Sequence, residues 1–414
     1  MTAIADLPDI RPSLLLDFAN SGRVDPRIEC TRASSATCFG PDGKLRTVAA
    51  NTPRIDYDPA TGKCLGLLVE ESRTNLLKHT GLFSSEWGVN RAVLSDSNVV
   101  TPSGVLSKKL SEGTEDGEHN IGCTYAPKPD TDYVFSIYVK AAERKFCNIS
   151  IRVFVSQVAG NNIRVNLETG EHTAPTAGTY FQAKHVGNGW WRLSVSTRTT
   201  STPSTLSPTI CAAQSLSSYS YPGIAGNGIY VWGAQLEEGT FPTSYTPTEA
   251  SAVTRAAENI SVALPSYTTA TIFAAGASQA DYAESSSNAN ARRTWFRLYN
   301  DYSLDEISVF VGPVSVNAVR RLGAGGASAA SLAPVASSTG GYVATALSYS
   351  SEKSLFKGAA NGVIGGESAY VQYFPYTHLS IGSNKGARQI NGHIRRIATY
   401  ETQLAANQLQ RLTA

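Results

Sequence analysis

Three groups of acidic residues are the first candidates for catalysis. They are the pairs Glu70–Glu71 and Glu237–Glu238 and the cluster at 115–118. A glycosidase needs two carboxyl groups roughly 5 to 10 Å apart across a sugar. Adjacent residues on a strand point to opposite faces of the sheet, which argues against a shared substrate. We expect one acid of each pair to be solvated and the other to bind a turn or an arginine.

The sequence lacks the residue patterns that are usual for metal sites, catalytic nucleophiles and phosphate-binding loops. The six histidines show no H-E-x-x-H or H-x-H spacing, and the six cysteines contain no C-x-x-C pair. The cluster 115–118 is an alternative calcium loop, but it lacks the alternating oxygen ligands of an EF-hand. No G-x-S-x-G is present, and neither Lys44 nor Lys63 is followed by Ser or Thr. The sequence therefore predicts no enzyme, no metal site and no cofactor.

Aromatic side chains offer a different chemistry. The apolar face of a sugar stacks on an exposed Trp or Tyr, while polar neighbours bind its hydroxyl groups. Trp191 shares a face with Leu193 and Val195, which favours a place in the core, whereas Trp190 points the other way. The candidate glycan contacts are therefore Trp190, Tyr370, Tyr373 and Tyr376.

The composition restricts the classes of partner. The 414 residues include 35 basic and 33 acidic ones, so no field of one sign is available to bind nucleic acid or an anionic membrane. The first residues carry acids and Pro8 where a signal peptide needs a basic start and an apolar stretch. No run of 18 apolar residues occurs. We expect a protein made in a cytosol, without membrane insertion and with reduced thiols.

Nearly every patterned segment has period two, which is typical of strands with one face in a core. Such strands are predicted at 133–139, 149–155, 163–167, 190–197, 229–236, 270–275, 294–298, 307–311, 342–347 and 379–381. Gly, Asn, Pro and Ser clusters of the kind that form turns separate them. Short strands without long intervening helices indicate antiparallel β-sandwiches. The predicted fold class is therefore all-β.

The same pattern divides the chain. The Pro- and Thr-rich stretch 240–249 disfavours helix and central strand, and we expect a boundary there, near Pro242 to Glu249. Residues 81–250 and 255–414 would then form one sandwich each, after an irregular segment 1–80. The Gly- and Ala-rich tract 323–331 is expected to be a mobile loop. Leu404 and Leu409 predict a short closing helix that begins near Ala405.

Several motifs resemble those of tailed-bacteriophage virion proteins such as tail fibres, minor tail proteins and head fibres. The N-terminal motifs lie at 14–20, 31–37, 51–57 and 66–77. The motifs at 187–194 and 230–248 are similar to those of a carbohydrate-binding-type jelly roll, and the segment from 379 to the end is similar to concanavalin A-like, laminin-G-type sandwiches. The family usually has Ser or Thr where this chain has Ala405.

The resemblance implies a non-enzymatic structural and adhesive virion protein. Its expected partners are other virion proteins, contacted through the N-terminal segment, and bacterial surface glycans, bound weakly and multivalently by a homotrimer. A head fibre or capsid decoration protein is the alternative. A glycan-degrading tailspike is a third, although such enzymes usually carry a parallel β-helix, and no short repeat is visible here.

Overall fold

The computed structural model of the protein describes residues 11–81, 87–154, 161–278, 293–300, 306–311, 315–322, 326–334, 342–350, 355–369, 375–384 and 388–414. Within these ranges the chain forms antiparallel β-sheets and two short helices. The sheets build two antiparallel β-sandwiches. The all-β prediction is confirmed.

The N-terminal segment contains seven short strands and one helical turn. In chain order they are β1 Leu14–Asp17, α1 Phe18–Ser21, β2 Ile28–Thr31, β3 Ala36–Phe39, β4 Leu45–Val48, β5 Arg54–Tyr57, β6 Cys64–Val69 and β7 Arg73–Asn75. No strand exceeds six residues, so none can bury a core face without a neighbouring unit.

The central sandwich has two six-stranded sheets. Its strands are β8 Gly88–Asn90, β9 Ala92–Val100, β10 Leu106–Glu112, β11 Asp116–Gly122, β12 Asp132–Ala141, β13 Phe146–Phe154, β14 Asn161–Asn166, β15 Phe181–His185, β16 Trp190–Arg198, β17 Thr205–Ala213, β18 Ser220–Pro222 and β19 Gly228–Glu238. One sheet has the order β15-β16-β12-β19-β10-β9, and the other has the order β14-β13-β17-β11-β18 with β8 also on β11. Their facing sides enclose one apolar core.

The carboxy-terminal sandwich follows. Its elements are β20 Val253–Arg255, β21 Asn259–Tyr267, β22 Thr269–Ser278, β23 Arg293–Tyr299, β24 Glu306–Val311, β25 Ser315–Leu322, β26 Gly326–Pro334, β27 Tyr342–Ser350, β28 Leu355–Ala360, β29 Val363–Ala369, β30 Tyr376–Ile381, β31 Gly392–Tyr400 and α2 Ala406–Thr413. One sheet has the order β29-β28-β27-β22-β31-β6-β5, and the other β2-β21-β30-β23-β24-β25-β26. The Gly- and Ala-rich tract 323–331 was expected to be a mobile loop. Its residues from 326 onward instead belong to strand β26, which pairs with β25.

The N-terminal segment belongs to the carboxy-terminal sandwich. Strand β1 pairs with β31, placing Leu14 opposite Thr399, while β6 also pairs with β31 and β2 pairs with β21. Leu14, Leu16 and Leu67 lie in that sandwich's core. The expectation of an irregular segment is corrected here, because several of its strands complete sheets whose other strands lie hundreds of residues away.

The stretch 240–249 runs between the two sandwiches, and most of it is buried. Phe241 and Tyr245 are 2% and 3% exposed. The Ser244 amide donates to Glu70, and the Asn75 side chain donates to the carbonyl of Thr246 at 2.8 Å. This boundary is a packed junction that ties the N-terminal segment to both sandwiches.

Five buried charged side chains fasten this junction, and we name them the arginine–glutamate cluster: Arg32, Arg54, Arg255, Glu70 and Glu258. Arg54 lies 2.6 Å from Glu258 and 2.8 Å from Glu70. Arg32 and Arg255 reach Glu258 at 3.1 and 3.4 Å. Burial opposes ionisation of Glu70, but Arg255 and Arg54 outweigh it and hold the pKa of Glu70 well below its usual value. Three arginines and two glutamates thus contact one another in the interior.

The closing helix α2 is present as predicted. Leu404 and Leu409 are buried on either side of its start. The backbone of Ala405 is extended, and its amide donates to the Gln408 side chain at 2.9 Å, so half of a capping box forms. The methyl side chain of Ala405 supplies no cap.

Replacing Ala405 by Ser should raise the free energy of unfolding by about 1 kcal/mol, because the hydroxyl would accept a hydrogen bond from the first turn. Urea unfolding measures the change. Ala406→Ser is the matched control, since that exposed position lies inside the helix and should gain no cap. Equal stability of Ala405→Ser and the wild type would contradict the prediction.

Stability should fall as the pH is lowered from about 5 to about 3. The unfolded chain protonates Glu70 near the ordinary carboxyl pKa of about 4.3, whereas the folded protein resists this, so acid favours unfolding. Urea unfolding at each pH gives the slope, and Glu70→Gln should make it shallower. An unchanged slope in that variant would show that Glu70 is not a source of the pH dependence.

Candidate functional site

The predicted sugar-stacking residue Trp190 lies in the interior. It is 1% exposed, and its indole Nε1 donates to the carbonyl of Val100 at 3.0 Å. It belongs to a group of apolar residues between β16 and the N-terminal segment, the junction cluster: Phe39, Leu45, Tyr138, Val186, Trp190, Trp232 and Tyr245. The alternation along β16 does place Trp190 on the outer face, but the N-terminal segment covers that face. The prediction of an exposed contact is therefore wrong for Trp190.

Of the three tyrosines predicted with it, Tyr376 lies within the described residues. Tyr376 is 0% exposed, and its ring meets that of Tyr349 edge-on inside the carboxy-terminal core. It is therefore not a glycan contact. Tyr370 and Tyr373 lie outside the described residues.

The acidic candidates have structural partners. Glu70 is held in the arginine–glutamate cluster, and Glu71 pairs with Arg73 and Arg293. The two carboxylates line different clefts, although both residues lie between β6 and β7 rather than on a strand. Glu237 accepts from the amide of Thr243 at 3.0 Å, and Glu238 pairs with an exposed lysine. In the cluster 115–118, Glu118 lies on β11 and pairs with Arg152 at 2.7 Å.

No group of three His, Cys, Asp or Glu side chains within the described ranges has a geometry that could hold a metal ion. No helix in the described part of the chain is long and apolar enough to cross a membrane.

A polar cleft of about 390 Å³ opens where the two sandwiches and the N-terminal segment meet. His393 Nε2 lies 2.8 Å from Asp56, whose other oxygen accepts from the Phe39 amide at 2.7 Å. Cys38 lines the same cleft, but burial and then Asp56 raise the pKa of its thiol to about 11. At neutral pH that thiol is protonated, so it does not serve as a nucleophile beside His393.

A second cleft, of about 440 Å³, lies on the outer face of the carboxy-terminal sandwich, and we name it the carboxy-terminal cleft. Strands β27 and β31, both helices and the turn after β28 form its walls. Its lining residues are Asp17, Ala19, Asn20, Phe273, Tyr342, Asn361, Arg395, Arg396, Leu412, Thr413 and Ala414. Tyr342 is 46% exposed there, whereas the predicted glycan contacts Trp190 and Tyr376 are buried.

The polar walls of this cleft are held in place. Asn361 adopts a left-handed backbone in its turn, and its side chain accepts from the Ala344 amide at 2.9 Å. Asn20 donates to Asp17 at 2.8 Å, and Arg396 pairs with the same carboxylate at 3.1 Å. Each of these side chains is oriented by a partner, which limits the entropy lost when a ligand binds.

Arg395 reaches the cleft through a β-bulge. Ala275 faces Arg396 and Gly276 faces Ile394, so Arg395 has no opposite residue on β22. A Cβ at Gly276 would overlap a carbonyl of the facing strand, which makes glycine necessary for this close approach. The bulge turns two consecutive arginines outward in a strand that otherwise alternates. Arg395 then stacks over the ring of Tyr342 at 5.6 Å.

Sequence reasoning missed this site. Tyr342 was assigned only as the start of a strand, and Arg395 only as part of a motif. The available signal was Arg395-Arg396, since two adjacent charged residues interrupt the period-two pattern of β31. Taken together, an exposed ring, a guanidinium and fixed amide groups at one concave site can bind a small polyhydroxylated molecule.

No protein-family model and no curated protein matches the chain. Among solved structures, the carbohydrate-binding module CBM40 of the Ruminococcus gnavus IT-sialidase, bound to α2,3-sialyllactose, is 16% identical, with 36% of this chain and 84% of that chain covered and a TM-score of 0.30. Mouse laminin α1 domains LG4-5 are 10% identical, with 71% and 88% covered and a TM-score of 0.25. A heptameric pentraxin from Limulus polyphemus is 13% identical, with 37% and 72% covered and a TM-score of 0.29.

Trp190→Ala should lower the free energy of unfolding by about 3 to 5 kcal/mol, because it empties a packed site in the junction cluster. Urea unfolding followed by circular dichroism measures the loss. Trp190→Phe keeps most of the apolar volume and should lose less. A Trp190→Ala variant as stable as the wild type would contradict the burial of this residue.

Proposed function

We propose that this protein is a non-enzymatic, glycan-binding adhesive protein of a tailed-phage virion, with the carboxy-terminal cleft as its glycan site. The observation that carries the binding proposal is Tyr342. It presents a half-exposed ring in a concave site, beside a guanidinium and two fixed asparagines. A sugar would stack its apolar face on the ring and bind its hydroxyl groups to the polar walls.

The placement in a virion is supported by the resemblance of the motifs, and those motifs contain the residues that fasten the junction. Arg32, Arg54 and Glu70 each come from a different N-terminal motif, and Tyr245 comes from the central one. The motifs that resemble those of the phage proteins therefore include residues that hold the N-terminal segment and the two sandwiches together. A tail fibre or tail-tip protein fits an adhesive role best, with a head fibre or capsid decoration protein as the alternative. Attachment through the N-terminal segment and a homotrimeric state belong to the same proposal.

Cryo-electron microscopy of a virion that contains the protein separates tail from head, and light scattering of the purified chain gives its oligomeric state. A monomer at micromolar concentration that is absent from every virion would contradict the virion proposal. Release of reducing sugar from a host polysaccharide would instead establish the tailspike alternative.

Tyr342→Ala should weaken glycan binding about tenfold, since the stacking platform is lost while the exposed position leaves the core intact. Binding to immobilised glycans, measured by array and then by calorimetry, tests this. Tyr219→Ala is the matched control. The guanidinium of Arg164 lies 5.5 Å from the centre of the Tyr219 ring, and neither residue lines the cleft. An equal loss in both variants would remove the cleft from the proposal.

A further inference from the structure

Among the described residues, no carboxylate side chain pairs with the guanidinium of Arg395, whereas the neighbouring Arg396 pairs with Asp17 at 3.1 Å. Both arginines are partly exposed, so their donor groups are accessible from solvent. The residues that line the cleft include two arginines, Arg395 and Arg396, and one aspartate, Asp17.

The geometry around Arg395 favours a particular anion. The guanidinium carbon of Arg395 lies 5.6 Å from the centre of the Tyr342 ring, a cation–π contact that holds the charged group beside the aromatic one. The edge of a guanidinium binds two oxygens of a planar carboxylate through parallel hydrogen bonds. The β-bulge keeps Arg395 beside the ring, so one ligand can touch both groups.

We propose that the carboxy-terminal cleft selects saccharides that carry a carboxylate, with the carboxylate on Arg395 and the sugar ring on Tyr342. The inference rests on the proposed function, since it names the substrate class of the same site. Neutral saccharides keep the stacking contact and bind more weakly, because they lack the charge-assisted hydrogen bonds.

The experiment compares one saccharide in two forms. Oligogalacturonate and its carboxyl-reduced counterpart differ only in the acidic group, and both are titrated into the full-length protein, after an array of neutral and acidic glycans has established binding. The wild type should bind the acidic form about tenfold more tightly at low salt, and the preference should shrink as salt is raised.

Three variants locate the preference. Arg395→Gln should bind both forms with the affinity that the wild type has for the neutral one, and Arg395→Lys should keep part of the preference. Arg164→Gln is the matched control, since it removes a tyrosine-stacked arginine outside the cleft and should change nothing. Circular dichroism checks that each variant is folded.

The outcomes separate the two proposals. Equal binding of the two forms, lost in Tyr342→Ala, would overturn the acidic preference and leave the glycan-binding function standing. An acidic preference that survives Arg395→Gln would place the anion elsewhere and also overturn the inference. Binding to no glycan on the array would overturn the proposed function itself.

Discussion

The arginine–glutamate cluster is the interaction on which the rest of the structure depends. Two carboxylates hold three guanidinium groups in the interior, where an unpaired charge would be costly. Arg32, Arg54 and Glu70 come from the N-terminal segment, whereas Arg255 and Glu258 stand at the entrance to the carboxy-terminal sandwich. The segment cannot leave without exposing charges on both sides, so its position is fixed by charge pairing as well as by strand pairing.

That fixed position decides which aromatic side chains meet solvent. Once the N-terminal segment lies over the central sandwich, the outer face of β16 becomes interior, and Trp190 and Trp232 pack in the junction cluster. The outer face of β27 and β31 stays open because only two short helices and a turn border it. Burying one face and leaving the other concave places the half-exposed ring of Tyr342 beside Arg395 and Arg396 in the carboxy-terminal cleft.

Local patterns predicted what depends on local contacts. Strands such as β12 and β16 alternate strongly, and the closing helix carries its own apolar staple at Leu404 and Leu409, so these elements follow from the sequence. Strand β1 has only four residues, too few for such a pattern, and its partner β31 lies more than 300 residues away. The site was missed for a related reason. Exposure of Trp190 depends on a distant covering segment, and exposure of Arg395 depends on a bulge set by Gly276.

The pairing of β1 with β31 also imposes an order on biosynthesis. Ser13 donates a hydrogen bond to Thr399, 386 residues further along the chain. At ribosomal speeds of about 5 to 20 residues per second, the first strand waits roughly 20 to 80 s for its partner. Before β31 is made, all strands of the central sandwich have been synthesised, so this sandwich can fold first. Strand β1 still lacks the partner strand with which its backbone forms hydrogen bonds. The carboxy-terminal sandwich therefore closes only after β31 has been synthesised, and a nascent chain that stops before β31 would leave β1 and β6 without this partner strand.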